Sequence, residues 1–420
     1  MKVLKLNLDA FSPFWFILLM ATGISSSILH TFPYPAEWLR ICSYIMFAAT
    51  CVICMVLHAM LIAHGVFLVK TKGVRYFATY YFCNPANSLF WGAYNMGLST
   101  IINYMSLLAS DFFKEQIHLQ SARNLIIAVY VLWWYVLILS FFVGWGITFC
   151  VWRFNSSEAH VRMGQILQSS LLLPIVSLVV SSGTSSLFGM SDVFVHHFSR
   201  NIQLLTMVIT LLVWLNSITL VLLVFSIYFW NLYVNSLPPS GKIFTMFICI
   251  GPCGQGAFAI ENLGENVKKY ISLYYTYADQ SKNLIAQSVA AQAKVMGIVG
   301  GFFLLSMGFF FTVIAIVSII TYSNNNVYHF NKGWLAMTFP LGTMALGTRT
   351  VYDHYEQYFP VSAFRVVSAV YSVACVLATL YCMFQFANMY CKIYFAKAIN
   401  YSKDTESLSV FDSTTKNHLS

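Results

Sequence analysis

Ten long apolar stretches, separated by shorter polar segments, make up most of the chain. A membrane-spanning helix needs about 20 mainly apolar residues, because each residue adds about 1.5 Å along the helix axis. The sequence therefore predicts an all-α polytopic membrane protein, with a transmembrane domain at residues 11–395 between an N-terminal segment at 1–10 and a C-terminal tail at 396–420. The ten predicted spans are residues 11–29, 41–69, 87–109, 125–152, 166–189, 204–233, 243–260, 295–322, 335–351 and 361–395.

These spans alternate between two kinds. The even-numbered spans are almost uniformly apolar, whereas the odd-numbered spans carry glycine, proline and hydroxyl residues near their middle. Proline removes a backbone hydrogen bond and kinks a helix, and the freed carbonyls must be satisfied by protein or by water in a cavity. We therefore expect five two-helix units, with the odd helices kinked around a central pore. For any single span, the alternative is that small residues only permit close helix packing.

The composition excludes several classes of protein. Hydrophobic residues make up 59% of the chain and charged residues only 9%, and the mean hydropathy is +0.70. A soluble domain would carry about 25% charged residues. The net charge of +9 is distributed singly between apolar runs and forms no basic stripe. Water-soluble enzymes and nucleic-acid-binding proteins are therefore excluded, and no nucleic-acid partner is expected.

The loop charges predict the orientation. Lysine and arginine concentrate on the cytoplasmic side of membrane proteins. With the N-terminus inside, the inner segments hold 13 basic and 5 acidic residues, and the outer segments hold 10 basic and 9 acidic residues. We therefore predict that both termini are cytoplasmic.

The sequence contains no motif of an enzyme. The HExxH and GxSxG signatures and the phosphate-binding Gly-Lys-Ser/Thr loop are missing, so no catalytic residue, metal or cofactor is expected. The charged residues Lys242, Glu261, Arg349 and Arg365 are predicted to lie near span ends, where long side chains reach water. A proton or cation pathway would place an acidic residue at depth. The absence of such a residue favours transport of an anion or of a neutral solute.

Several long motifs carry a resemblance to a known family. The chain closely resembles the fungal sulfite efflux pumps of the tellurite-resistance/dicarboxylate transporter family, which also contains malate carriers and plant slow anion channels. The resemblance implies ten helices in five hairpins, in a quasi-fivefold arrangement around an anion pore, in the plasma membrane. It also suggests a homotrimer. The motifs are GISSSILHTFPYPAEWLRICSYIMF at 23–47, LFWG at 89–92, TIIN at 100–103, RNL at 123–125, YVLWWY at 130–135, RNIQL at 200–204 and MTFPLGTM at 337–344.

The site residues follow from both lines of reasoning. In the channel relatives a phenylalanine of the ninth helix plugs the pore, and the matching gate here is Phe339 beside Pro340. The alternative is that Phe339 only packs against a neighbouring helix. Predicted cytoplasmic rim residues are Arg153, Lys242 and Lys332, which would concentrate anions. The predicted pore lining comprises Thr22, Gly23, Asn95, Gly97, Ser181, Gly183, Gly251, Pro252, Gln255, Gly256, Thr338, Gly342 and Thr343.

The resulting expectation is a plasma-membrane exporter of sulfite or a related small anion, surrounded by membrane lipid. Two alternatives stay open. One is a different anion of the same family, such as malate, although the sequence offers no deep arginine to hold a second carboxylate. The other is a membrane receptor that binds a ligand without transporting it. The inner loops are short, which favours the transporter.

Overall fold

The described part of the chain folds into ten long helices. The computed structural model describes residues 11–116, 118–157, 168–276, 279–323 and 330–416, with side chains omitted at 154–157, 323 and 390–416. Within these ranges no β-strand occurs. The long helices of the described chain are α1 (Phe16–His30), α2 (Glu37–Lys72), α3 (Trp91–Lys114), α4 (Leu119–Phe141), α5 (Leu172–Gly189), α6 (Arg200–Asn235), α7 (Ile250–Tyr274), α8 (Gln280–Ser323), α9 (Thr338–Tyr355) and α10 (Ala363–Lys416). The predicted N-terminal segment at 1–10 lies outside the described residues.

Each predicted span has its helix, but not every helix is equally apolar. In the described chain, eight helical segments are long and apolar enough to cross a membrane. The helices of the third and ninth predicted spans, α3 and α9, form but are not among the eight, because they carry many polar residues. Their polar side chains are largely buried inside the protein. The all-helical polytopic class is confirmed, whereas the total of ten spans stays a prediction.

The odd helices form an inner ring. Helix α1 packs against α3 and α9, α5 packs against α3 and α7, and α7 packs against α9. Each even helix packs against the odd helix that precedes it in the chain. In the spans of α1, α5 and α7, 83–89% of the most apolar window is buried, against 17–39% in the even spans. The described helices therefore separate into buried inner and exposed outer members, while the quasi-fivefold symmetry remains an expectation.

Prolines stand at a recurring position in the inner ring. Pro174, Pro252 and Pro340 are each the third residue of their α-helix. A 3₁₀ segment leads directly into each of these helices: Ser169–Leu171, Ser240–Cys249 and Lys332–Met337. Proline fits the first turn of an α-helix, where its missing N–H is not needed. The expectation that these prolines kink their helices near the middle is therefore wrong. They lie instead in the first α-helical turn, where the 3₁₀ geometry changes to α geometry.

Helix α7 extends well beyond its predicted end. The apolar pattern stops at Ile260 and predicts a span of residues 243–260, but α7 continues to Tyr274. The polar residues Glu261, Asn262 and Asn266 are buried against neighbouring helices and so do not end the helix. This extension carries the buried charges described below.

Candidate functional site

A large open cavity lies at one end of the inner ring. It has a volume of about 830 Å³ and is called here the vestibule. The segments that begin all five odd helices line it, through residues that include Phe14, Phe90, Ser169, Lys242 and Lys332. A helix N-terminus carries a partial positive charge, because its first N–H groups have no partner within the helix. Five helix beginnings and two lysines therefore make the vestibule favourable for an anion.

The vestibule narrows to a small cavity of about 30 Å³, called here the constriction. All five odd helices line it. Ile17, Ile248 and Ala336 line both cavities, so the constriction lies directly beneath the vestibule. Phe339 and Pro340 contribute the wall from α9, and the side chain of Phe339 is only 3% exposed. A space of this size holds at most a few water molecules and stops a hydrated anion.

Residues spaced by three run from the vestibule into the constriction. In α7 and its 3₁₀ segment they are Lys242, Thr245, Ile248 and Gly251. In a 3₁₀-helix, residues i and i+3 lie directly above one another, because a turn contains three residues. The ten-residue segment Ser240–Cys249 therefore presents one straight row of side chains. The same spacing occurs at 14–17–20 before and in α1, at 170–173–176 before and in α5, and at 333–336–339 before and in α9.

Side-chain and ring contacts hold the vestibule wall together. The Ser169 hydroxyl donates a hydrogen bond to the Thr245 carbonyl at 2.7 Å, which ties two 3₁₀ segments to one another. The rings of Phe244 and Trp334 lie 4.2 Å apart between centroids. Lys332 places its ammonium group 5.0 Å from the ring centroid of Trp15, a cation–π contact that fixes the charge at the mouth.

The three predicted rim residues separate in the structure. Lys242 and Lys332 are both exposed and line the vestibule. Arg153 is exposed on the helix Thr148–Ser157 and does not line it. The two lysines are therefore the cations positioned to attract an anion into this cavity.

The predicted hydrogen-bonding residues are all buried, but they differ in their partners. Thr22 and Thr338 donate to carbonyls of their own helical segments at 3.0 and 2.8 Å, and Thr343 donates to the Pro340 carbonyl at 2.8 Å. Asn95 donates to the hydroxyl of Ser140 on α4 at 2.6 Å. In contrast, the amide nitrogen of Gln255 and the hydroxyl of Ser181 have no partner within the described residues. Buried donors of this kind need water or a ligand.

The predicted glycines lie mainly at contacts between helices. Gly23 faces Thr100 of α3, Gly97 faces Leu19 of α1, and Gly342 faces Ile24 and Ile28 of α1. Gly183 of α5 faces the amide of Gln255. Gly256 packs against Ile218 of α6 and Leu304 of α8, which places it on the outer side of α7. Of the predicted glycines, only Gly251 lines the constriction, and the helix-packing alternative describes most of the others.

The structure also contains a charged group that the sequence did not reveal. Glu261 was expected near a span end, but it is 0% exposed and lies inside α7. Lys294 of α8 is 7% exposed and forms an ion pair with Glu265 at 2.9 Å. We call Glu261, Glu265 and Lys294 the buried charge cluster. Neighbouring helices therefore enclose charged residues beyond the predicted end of the seventh span, which the apolar pattern of the sequence did not indicate.

An all-helical multi-pass membrane protein, with a basic vestibule leading to a narrow passage between buried helices, has the architecture of a channel or transporter. The comparisons with known proteins agree. The model of the voltage-dependent anion channel family matches residues 10–387, and the chain belongs to this family. The family that the sequence motifs indicated is thus confirmed. It is a family of anion channels and transporters and not of enzymes.

Fungal relatives match nearly the whole chain. A Saccharomyces cerevisiae protein named sulfite efflux pump SSU1 is 42% identical over 404 residues, which cover 91% of this chain and 88% of the relative. A Candida albicans protein of the same name is 29% identical over 391 residues, covering 89% and 72% respectively. A third, from Arthroderma benhamiae, is 25% identical over 344 residues and 80% of each chain.

Proposed function

We propose that this protein exports sulfite across the plasma membrane. The observation that carries the proposal is the vestibule, where five helix beginnings and two lysines converge above a single constriction. The names of the fungal relatives supply the substrate, since the geometry by itself favours any small anion. Export removes a reactive anion from the cell and protects it from sulfite.

In the proposed pathway the vestibule faces the cytoplasm and both termini lie inside. Lys242 and Lys332 raise the local concentration of the anion by their charge. The anion then follows the rows of residues spaced by three to the constriction, where Phe339 forms the gate. Beyond the gate, the Gln255 amide and the Ser181 hydroxyl offer hydrogen bonds in place of water. Selectivity arises from the width of the passage and from these donors.

The membrane potential supplies the driving force. An inside-negative potential is worth about 2.3 kcal/mol per charge per 100 mV, which favours the exit of an anion. A site with few direct donors also binds weakly, so the anion leaves quickly. Homotrimer formation, which the family resemblance suggests, and surrounding membrane lipid complete the proposal.

The decisive experiment is sulfite release from preloaded cells or vesicles with and without this protein, compared with malate and chloride. Preferential release of sulfite supports the proposal. Release of malate at an equal or higher rate assigns the protein to the carboxylate branch of the family. If no anion is released by correctly folded protein, the transport proposal is wrong and a receptor function becomes the better explanation.

A further inference from the structure

The side chain of Glu261 is enclosed in the middle of α7. It is 0% exposed, and neither carboxyl oxygen has a hydrogen-bond partner within the described residues. At 1.5 Å per residue, it lies about 20 Å from the end of α7 at Tyr274. Its carboxyl group packs on Gly301 of α8, where even a methyl group would overlap it. The carboxyl therefore occupies a space that only a glycine on α8 leaves open.

An ionised carboxylate is not stable in such a place. Burying a charge without a counter-ion or hydrogen bonds is so costly that the group takes up a proton instead. The contrast with Glu265, one helical turn away, is direct. Glu265 is paired with Lys294 at 2.9 Å and its side chain is 22% exposed, so its charge is compensated. Glu261 has no such compensation in the same helix.

The surroundings of Glu261 contain few other titratable groups. Glu265 lies on its own helix, Lys294 comes from α8, and His354 and Tyr355 come from α9. Lys294 is engaged by Glu265, and His354 contacts the side-chain oxygen of Asn262 at 3.0 Å. The sequence of α5 holds no charged or histidine residue. In the sequence of α6 the one charged residue is Arg200, which contacts Tyr270 near the end of α7.

Several polar groups lie between the region of Glu261 and the surface opposite the vestibule. The Tyr355 hydroxyl donates to the Lys294 carbonyl at 3.1 Å, and the Lys294 ammonium group is 4.2 Å from the ring centroid of Tyr358. Tyr358 is 57% exposed and accepts a hydrogen bond from Lys268 at 3.1 Å. Titratable side chains therefore lie between this surface and the region of Glu261, but none of them hydrogen-bonds to its carboxyl group in this constricted state.

We propose that Glu261 is a proton-binding site that couples protonation to the opening of the anion pathway. The neutral carboxyl keeps α7 packed on α8 in this constricted state. Releasing the proton requires the carboxylate to reach water or Lys294, and so requires α7 to shift against α8 at Gly301. Helix α7 contributes Gly251 to the constriction and continues the 3₁₀ segment that contributes Ile248, so the shift changes the passage. This inference rests on the proposed transport function.

The first test is an infrared spectrum of the purified protein, which needs no transport assay. We expect the C=O stretch of a protonated carboxylic acid at neutral pH, shifted in heavy water and missing in Glu261→Gln. Asp353→Asn is the matched control, because Asp353 is 41% exposed and pairs with Arg349 on the protein surface. A wild-type spectrum without this band at neutral pH overturns the proton site, whatever the variant does.

The second test measures sulfite efflux from cells while the outer pH is varied and the internal pH is held constant. The constant internal pH keeps the protonation state of the transported anion inside the cell unchanged. We expect efflux to rise with outer pH by up to about tenfold per pH unit, the limit for release of one proton. Glu261→Gln, which stays neutral, is expected to give low efflux without this dependence, whereas Asp353→Asn keeps it. An unchanged pH dependence in Glu261→Gln overturns the coupling. Absence of sulfite efflux in the wild-type protein overturns the proposed function and the coupling with it, while the infrared band still decides the proton site.

Discussion

The two ends of the inner ring differ in whether their charged residues are exposed or buried. In the vestibule, Lys242 and Lys332 are exposed to water and stand around an open space. Towards the other end, Glu261 and Lys294 are enclosed between α7, α8 and α9. An exposed charge attracts a diffusing ion but adds little to stability. A buried charge attracts no diffusing ion but matters for stability, because losing its partner is costly. Its protonation also depends on how the helices pack around it.

The comparison teaches that attraction and control are separated along one helix. Helix α7 and its 3₁₀ segment carry Lys242 at one end and the two glutamates of the buried charge cluster towards the other. We therefore expect substitutions in the cluster to change mainly stability and pH response. Substitutions in the vestibule and constriction are expected to change mainly flux.

The largest effect is expected from Lys294→Met, which leaves Glu265 without its cation. Breaking a buried ion pair costs roughly 3–5 kcal/mol, and the partial exposure of Glu265 places this case near the lower end. A thermal unfolding series in detergent measures the loss. Lys282→Met is the control, because Lys282 is exposed on the same helix. Equal stability of the two variants would contradict the role of the pair, and adding Glu265→Gln to Lys294→Met is expected to recover part of the loss.

The next largest loss of stability is expected from Gly92→Ala at the vestibule end of the inner ring. A Cβ atom at Gly92 would overlap the carbonyl of Leu173, so α3 and α5 would have to separate. Overpacking of this kind costs about 1–3 kcal/mol. The same thermal series measures it, with Gly241→Ala as the control, since Gly241 has open space around it. If Gly92→Ala is as stable as the control, the contact between α3 and α5 is looser than described.

Phe339→Ala tests the gate. We expect anion flux to rise about tenfold, which corresponds to a barrier lowered by roughly 1.4 kcal/mol, while expression stays unchanged. Phe303→Ala is the control, because Phe303 lies on α8 and is 52% exposed on the outer surface. Flux measurements on both variants at equal protein amounts decide the matter. A flux that falls or stays level in folded Phe339→Ala would show that the ring only packs against its neighbours.

The smallest effect is expected from Lys242→Gln. One charge near a protein surface is worth on the order of 1 kcal/mol or less, so flux is expected to fall by roughly fivefold at most. The reduction is expected at low ionic strength and to shrink as salt screens the charge. Lys72→Gln, at an exposed lysine at the end of α2 outside the vestibule, is the control. A salt-independent loss of flux would argue against electrostatic attraction.

Much of the architecture was predictable from the sequence, because long apolar runs identify membrane-spanning helices. Each predicted span contains a helix, and the polar odd spans are the buried ones. Phe339, Pro340 and Gly251 do meet at the constriction. The regular spacing by three, as in 14–17–20, was present in the sequence and was missed, since apolar patterns in membranes are read for length and not for period.

The position of Glu261 could not be predicted from local sequence. A glutamate directly after an apolar run resembles the polar end of a span, and snorkelling explains such residues in most helices. Its burial depends on Gly301, forty positions later, and on the way α8 packs over α7. Likewise, the glycines of the odd helices fit both a wide pore and close packing. Only the positions of Thr100, Leu19 and Ile24 on neighbouring helices distinguish the two.

The long 3₁₀ segment Ser240–Cys249 has a consequence for how this chain tolerates insertions and deletions. Each residue advances such a helix by about 120° and 2.0 Å. Inserting one residue would leave the segment helical but turn Lys242 away from the path that Ile248 and Gly251 follow. Inserting three residues would restore the alignment and lengthen the entrance by about 6 Å. Changes of length in this segment are therefore expected to be acceptable only in multiples of three.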